Sequence, residues 1–162
     1  MEKILRKVQK NASVSKVLKL ISHTVSAFSV IGFAFLAVAA LKESPLELLK
    51  LVLVLGVPFA AVTAVRKLIN APRPYEIYNF YDTPPKSKRG SSFPSRHAHS
   101  AFSIGVVMCF YSPLFGAILL LFGSFMCCAR VLLGVHFIRD VICGAATGSI
   151  SALLGAILFT VI

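Results

Sequence analysis

Acidic residues are scarce in this chain of 162 residues, which has six Asp and Glu against 17 Lys and Arg. Charged residues of both signs amount to 14%, where a soluble globular domain has roughly a quarter. Hydrophobic residues make up 57% and the mean hydropathy is +0.82. A chain this short buries only about two-thirds of its surface on folding, so it cannot hide that much apolar surface from water. The composition excludes a soluble enzyme, a disordered segment and a secreted disulfide scaffold, and it indicates an integral membrane protein.

Few residues are available to hold a metal ion. Only Glu76, Asp82 and Asp140 are placed to approach the polar residues described below, which argues against a two-metal carboxylate centre. All four cysteines lie within apolar runs, where they are expected to be small buried hydrophobes, and they show neither metal-ligand spacing nor a disulfide framework. They are Cys109, Cys127, Cys128 and Cys143. We therefore expect no metal and no other cofactor.

Long apolar runs predict the helices. Residues 20–41 carry no Asp, Glu, Lys or Arg and are long enough to cross a hydrocarbon core of about 30 Å. Ser112 and Pro113 divide the uncharged stretch 100–129 into two helices. The further predicted spans are 45–69, about 95–111, about 114–133 and about 138–162, the last with Gly144 and Gly148 on one close-packing face. The fold class is thus all-α, a polytopic membrane bundle of about five transmembrane helices forming one domain over 1–162.

The distribution of positive charge predicts how the chain is oriented. With five spans, the basic amphipathic segment 1–19, the proline-rich loop 70–94 and the turn 134–138 lie on one side, and only Lys42 and Lys50 among the basic residues belong to the other. Lysine-rich termini stay in the cytoplasm, so this side is expected to face the cytoplasm. The net charge of +11 then indicates anionic headgroups and phosphates of the lipid bilayer as partners, and no nucleic acid.

Ionisable residues near membrane depth usually mark function. His136 and Asp140 are four residues apart, so a shared helix face would let the carboxylate fix the imidazole tautomer; an interfacial histidine beside a helix-capping carboxylate is the alternative. Ser95 is predicted to cap a helix whose free N–H groups attract phosphate, or simply to cap it. The arginines neutralise charge or anchor the chain at the interface. The candidate set is Arg66, Lys67, Arg73, Ser95, Arg96, His97, Arg130, His136, Arg139 and Asp140.

Arginines, one histidine beside a carboxylate and a second histidine at a helix start suit phosphoryl transfer through a phosphohistidine. The same residues resemble the type-2 phosphatidic acid phosphatase family, whose three motifs are KxxxxxxRP, PSGH and SRxxxxxHxxxD. This chain reads RKLINAPRP at 66–74, PSRH at 94–97 and ARVLLGVHFIRD at 129–140. Order and spacing agree over nearly half of the chain.

The resemblance implies a role for each residue. His136 would be the nucleophile, oriented by Asp140, and His97 the general acid and then the base. Arg73 and Arg130 would hold the phosphoryl oxygens, helped by Ser95 and backbone amides, without a metal. The 70–94 stretch would be the active-site loop.

Three departures from the motifs leave questions open. Arg66 stands where the family has lysine, so either Arg66 or the adjacent Lys67 fills that position. Arg96 replaces a glycine and would be strained if the backbone required a positive φ; its guanidinium is available for a second phosphate or headgroup. Ala129 replaces a serine, which removes a hydroxyl but no catalytic group.

The resemblance implies a metal-independent phosphatase acting on a membrane lipid phosphate or diphosphate. Phosphatidylglycerophosphate, phosphatidate and a polyprenyl-linked phosphate are the expected substrates if the site faces the cytoplasm. An outward-facing site would instead favour undecaprenyl diphosphate. A catalytically silent lipid-binding or transport protein on the same fold is the alternative of another class. The sequence leaves the oligomeric state open.

Overall fold

The computed structural model describes residues 2–78 and 89–159. In these two ranges the chain forms seven α-helices and no strand. The helices are α1 (Glu2–Lys10), α2 (Ala12–Glu43), α3 (Pro45–Ile69), α4 (Pro74–Tyr78), α5 (Arg96–Tyr111), α6 (Pro113–Leu132) and α7 (Ile138–Phe159).

Local capping signals set the ends of the long helices. Ser44 closes α2 by donating its N–H to the Ala40 carbonyl, and its hydroxyl accepts the Glu47 N–H at 3.1 Å to begin α3. Helix α5 ends at Tyr111 and α6 begins at Pro113, so the break lies where the sequence predicted it. Asn70 ends α3 in the left-handed conformation, with φ of 42°. The Ser44 hydroxyl caps α3, whereas Ser112 makes no side-chain cap hydrogen bond and the start of α6 rests on Pro113 in its first turn. Proline in the first turn is a strong helix-start signal in both cases, which explains why these predicted starts agree with the structure.

The amino-terminal segment differs from its predicted form. Residues 12–19 are the first turns of α2, so the long helix begins well before residue 20, and α1 ends at Lys10. Asn11 separates the two helices and accepts the Val14 N–H at 3.1 Å as the cap of α2. The lysines in these turns lowered the apolar signal, but charged residues with long side chains are good helix formers.

The short helix α1 lies at the loop end of the bundle. Its Leu5 is 1% exposed. Arg6 donates to the Tyr78 carbonyl at 2.9 Å, and Gln9 donates to the Leu133 carbonyl at 3.0 Å. The amino terminus, the segment after α3 and the turn after α6 therefore lie at one end, as the spacing of the spans predicted.

Helix α5 is the central helix and packs against α2, α3, α6 and α7. Two glycines bring α7 against it. A Cβ at Gly144 would overlap the Ser95 carbonyl oxygen, and a Cβ at Gly148 would overlap that of His99. The predicted small-residue face on the last helix is confirmed, and it packs against the main chain of α5.

Four stretches within the described ranges are long and apolar enough to cross a membrane: Ala12–Glu43, Pro45–Tyr78, Pro113–Leu132 and Ile138–Phe159. The second of them contains both α3 and α4. The remaining predicted span, α5, has only 16 residues, which corresponds to about 24 Å. The neighbouring helices surround it. Large apolar side chains cover the outer surface, as at Leu68 and Ile157, which are 83% and 75% exposed. The fold is the predicted all-α membrane bundle. The four cysteines are free. Cys128 is exposed and the other three are half-buried, so none has the full burial that was predicted.

Candidate active site

Backbone hydrogen bonds join the three motif segments at one end of the bundle. The Ser92 N–H donates to the Ala71 carbonyl at 2.8 Å, and the Ser95 N–H donates to the main-chain carbonyl of Asp140 at 3.0 Å. The Tyr75 N–H donates to the Gly134 carbonyl at 3.2 Å. Residues that are distant in sequence are therefore joined in one hydrogen-bonded framework. Residues 79–88 of the predicted active-site loop lie outside the described residues.

His136 and Asp140 are adjacent, but for a reason other than the predicted one. His136 lies in the turn before α7, and only Asp140 belongs to the helix, so the two residues do not share a helix face. Asp140 Oδ2 lies 3.5 Å from His136 Nδ1 and accepts the Phe137 N–H at 2.9 Å. The exposed fractions of the two side chains are 1% and 0%. With Nδ1 turned to the carboxylate, the remaining ring nitrogen of His136 is left for the cavity that this residue lines.

Ser92 is a third member of this group that sequence reasoning missed. Its hydroxyl is 2.5 Å from Asp140 Oδ2 and 3.4 Å from His136 Nδ1, and the residue is fully buried. The hydroxyl donates to the carboxylate, so a residue of the segment before α5 helps to hold Asp140 in place. Its one sequence signal is its position just before the PSRH motif, since a polar residue there is brought into the site with the motif.

Burial lowers the pKa of His136 below its ordinary value of 6.5. The hydrogen bond to Asp140 acts in the opposite direction, while the nearby positive charges of Arg130, Arg73 and Arg66 lower the pKa further. The imidazole is therefore neutral near pH 7, which is the form that can act as a nucleophile.

Arg73 and Glu76 connect the loop after α3 to the segment that precedes α5. Arg73 Nε donates to the Gly90 carbonyl at 3.0 Å. Glu76 accepts the Arg73 N–H at 2.9 Å and the Gly90 N–H at 2.7 Å. The α3 helix stops at Ile69, so Arg66 and Arg73 do not lie on one continuous helix. The loop places Arg73 on the cavity wall instead.

The structure distinguishes Arg66 from Lys67. Arg66 is buried, and its guanidinium donates to the Pro94 carbonyl at 3.2 Å, which ties α3 to the PSRH segment. Lys67 is exposed, although it reaches the rim of the same cavity. The buried, hydrogen-bonded position therefore belongs to Arg66, and Lys67 contributes charge at the edge.

Ser95, Arg96 and His97 form the start of α5. Ser95 is fully buried and caps the helix, its hydroxyl accepting the Ala98 N–H at 3.4 Å, and it lines neither of the two cavities described below. Its position favours the alternative of a plain helix cap over contact with phosphate. Arg96 takes the first helical position without a positive φ, so replacing glycine causes no strain there.

A polar cavity of about 720 Å³ unites the candidate residues. Five arginines and two lysines line it together with His97 and His136, and no carboxylate is among the described lining residues. Arg130 faces this cavity, and its Nε is buried with no hydrogen-bond partner in the described part of the chain. Lys19 and His23 of α2 also line it; sequence reasoning placed neither of them at the site. Such a wall is built to bind an anion.

A second cavity, of about 540 Å³, lies between α2, α3 and α5. Its wall is mainly apolar and includes Val30, Phe33, Leu55, Phe59 and Ile104. Arg96 and His97 line both cavities, so the polar and apolar spaces adjoin at the start of α5. Among residues 2–78 and 89–159, no group of three or more His, Cys, Asp or Glu is arranged to hold a metal ion.

Comparison with known proteins gives a family and two similar structures. The model of the PAP2 superfamily matches residues 47–161. The first structure is a transmembrane PAP2-type phosphatidylglycerolphosphate phosphatase from Bacillus subtilis, with a TM-score of 0.74 and 22% identity over 98% of this chain and 84% of that one. The second is LpxE from Aquifex aeolicus, with a TM-score of 0.71 and 21% identity over 94% and 92%. A search of curated protein sequences found no significant match.

Proposed function

Because the chain belongs to the PAP2 superfamily, we propose that it is a metal-independent membrane phosphatase that hydrolyses a lipid phosphate monoester or diphosphate through a phosphohistidine. One observation carries this proposal. A neutral imidazole, held by a buried carboxylate, lies on the wall of a strongly cationic cavity that adjoins an apolar one. The polar cavity suits the phosphate and the apolar cavity suits the hydrocarbon chain.

The first step forms the bond between phosphorus and the free ring nitrogen of His136, while the bond from phosphorus to the lipid oxygen breaks. His97 gives its proton to that leaving oxygen. Arg73 and Arg130 donate to the phosphoryl oxygens, whose charge they neutralise, and Asp140 stabilises the charged imidazole as the bond forms.

The second step releases inorganic phosphate. His97, now neutral, takes a proton from a water molecule, which attacks the phosphorus as the bond to His136 breaks. His136 regains its neutral form, and His97 regains the proton needed for the next turnover. Atoms and charges balance over the two steps, with water as the one co-substrate.

A lipid panel tests the activity. Purified protein in detergent is given phosphatidylglycerophosphate, phosphatidate or a polyprenyl diphosphate with a chelator present. We expect phosphate release from at least one of them, since arginines supply the positive charge. Release that required added magnesium would contradict the mechanism, and release from none of these lipids would favour a silent lipid-binding protein.

Trapping the intermediate tests the nucleophile. Rapid quenching in base with a radiolabelled substrate is expected to leave label on the wild type and none on His136→Ala, because a phosphohistidine survives base. His99→Asn is the matched control, since His99 is also buried but lines neither cavity. Full labelling of folded His136→Ala would exclude His136 as the nucleophile.

We also propose that the site faces the cytoplasm, because the lysine-rich amino terminus lies at the same end as the site. Cysteines introduced at Lys3 and at Glu43 mark the two ends of the bundle, in a background without the four native cysteines. An impermeant maleimide applied to intact cells is expected to label the second and spare the first. The reverse pattern would place the site on the outer face.

A further inference from the structure

Arg96 occupies the boundary between the two cavities. It is the first residue of α5, it lines both spaces together with His97, and its side chain is half-buried. A group bound at Arg96 would therefore lie between the anion in the polar cavity and the chain in the apolar one.

The Arg96 guanidinium has no hydrogen bond or ion pair with any residue that the structure describes. Arg66 and Arg73 differ from it, because each donates to a main-chain carbonyl of the neighbouring segment. Two described carboxylates at the site are already engaged, Asp140 with Ser92 and Phe137, and Glu76 with the loop amides. The donors of Arg96 therefore remain available to a ligand.

The positive charge on the wall exceeds what one phosphate requires. Five arginines and two lysines line the polar cavity without a described carboxylate, whereas a phosphate monoester carries about −1.5 to −2. Like charges confined together repel one another, so a second anionic group would relieve repulsion that the first leaves in place.

Building on the proposed function, we infer that Arg96 binds a second phosphate of the lipid substrate, located between the phosphoryl group that is transferred and the hydrocarbon chain. His97 is the proposed acid for the leaving oxygen, and Arg96 lines the same two cavities as His97, which favours the leaving-group side for Arg96. The substrate class is thus a lipid with two phosphates, either joined directly as a diphosphate or separated by a short polyol as a monoester and a diester. A lipid with a single phosphate monoester lacks the group that Arg96 binds.

Binding measurements test this inference without depending on turnover. A prenyl methylenebisphosphonate and the prenyl monophosphonate of equal chain length, neither of which can be hydrolysed, are titrated calorimetrically into the protein in detergent. We expect the wild type to bind the bisphosphonate at least tenfold more tightly, and Arg96→Gln to reduce this ratio about tenfold. Arg96→Lys keeps the charge and is expected to restore part of the ratio. Lys42→Gln, which removes one charge at the opposite end, is the control and should keep the wild-type ratio.

A second pair of ligands distinguishes the two kinds of lipid. Phosphatidylglycerophosphate and phosphatidate with identical acyl chains are compared in kcat/KM, and in binding if no turnover occurs. If Arg96→Gln reduces the preference for phosphatidylglycerophosphate over phosphatidate but leaves the bisphosphonate ratio unchanged, the substrate is the lipid with separated phosphates. If it reduces only the bisphosphonate ratio, the substrate is the lipid diphosphate. An unchanged ratio in both pairs for Arg96→Gln overturns the inference, even if the protein is an active phosphatase. If the wild type hydrolyses none of the lipids but its binding ratio still depends on Arg96, the proposed function is contradicted and the second-phosphate site remains supported.

Discussion

Replacing Ser92 with alanine tests whether the buried hydroxyl positions the nucleophile. The hydroxyl donates to Asp140 at 2.5 Å and lies 3.4 Å from the Nδ1 atom of His136, but Ser92 lines neither cavity. A hydrogen bond to a charged group contributes about 1.5–3 kcal/mol. If that energy holds the carboxylate and imidazole in their reactive orientation, its loss lowers kcat about 10- to 100-fold, since each 1.36 kcal/mol is tenfold in rate. KM should change little, because Ser92 does not line the cavity in which the substrate is proposed to bind.

The assay is phosphate release under saturating lipid, with kcat and KM determined separately for Ser92→Ala. Ser15→Ala is the matched control, because Ser15 is also a buried serine and lines neither cavity. The control should keep wild-type kcat. A folded Ser92→Ala protein whose kcat stays within about twofold of wild type, well below the effect expected from such a hydrogen bond, would refute the positioning role. A rise in KM with unchanged kcat would refute it as well, since that result indicates a substrate contact.

Three further substitutions or titrations test other parts of the structure. Burial lowers the pKa of His136 below 6.5, so the unfolded chain binds a proton at this residue more tightly than the folded chain does. The contribution of His136 to stability is therefore lost only as the pH drops below about 6.5. The acid limb of the pH profile of kcat/KM is expected below pH 6.5, and a midpoint above 6.5 would contradict the shift. Gly148→Leu should destabilise the fold by about 3 kcal/mol or more, read as a lower melting temperature, because the side chain would meet the His99 carbonyl; unchanged melting would show that the two helices can separate. Arg66→Gln should lower kcat/KM at least tenfold more than Lys67→Gln, because only Arg66 also donates a hydrogen bond to the Pro94 carbonyl. Equal losses would contradict the assignment of the first-motif position to Arg66.

The helices could be predicted because their limits depend on neighbouring residues. Ser44 with Pro45, and Ser112 with Pro113, act within one turn, so their effect can be read directly from the sequence. The start of α2 could not be located in the same way. Charged residues occupy its first turns, and hydropathy cannot distinguish a helix that extends beyond the bilayer from a separate interfacial segment. The cap at Asn11 was the available signal.

The site was predictable as a set of residues but not as a geometry. The motif spacings brought two histidines, several arginines and Asp140 onto one list, and the structure places them at one end of the bundle. The helix-face argument for His136 was wrong. The chain turns at Gly134, where φ is 67°, and α7 begins only at Ile138. Ser92 escaped notice because its two partners are 44 and 48 residues away. Contacts of that kind depend on how three segments pack, which no local pattern encodes.

The packing of α7 against α5 determines the arrangement of the two proposed catalytic histidines. His97 is fixed to α5, whereas His136 is held by Asp140 in the first turn of α7. The main-chain carbonyl of Asp140 accepts the Ser95 N–H, and Gly144, one turn further, lets the two backbones approach to that distance. The separation of nucleophile and acid is therefore set by a glycine contact that touches no substrate. Stability and catalysis share this interface, so a change that widens it should affect both together.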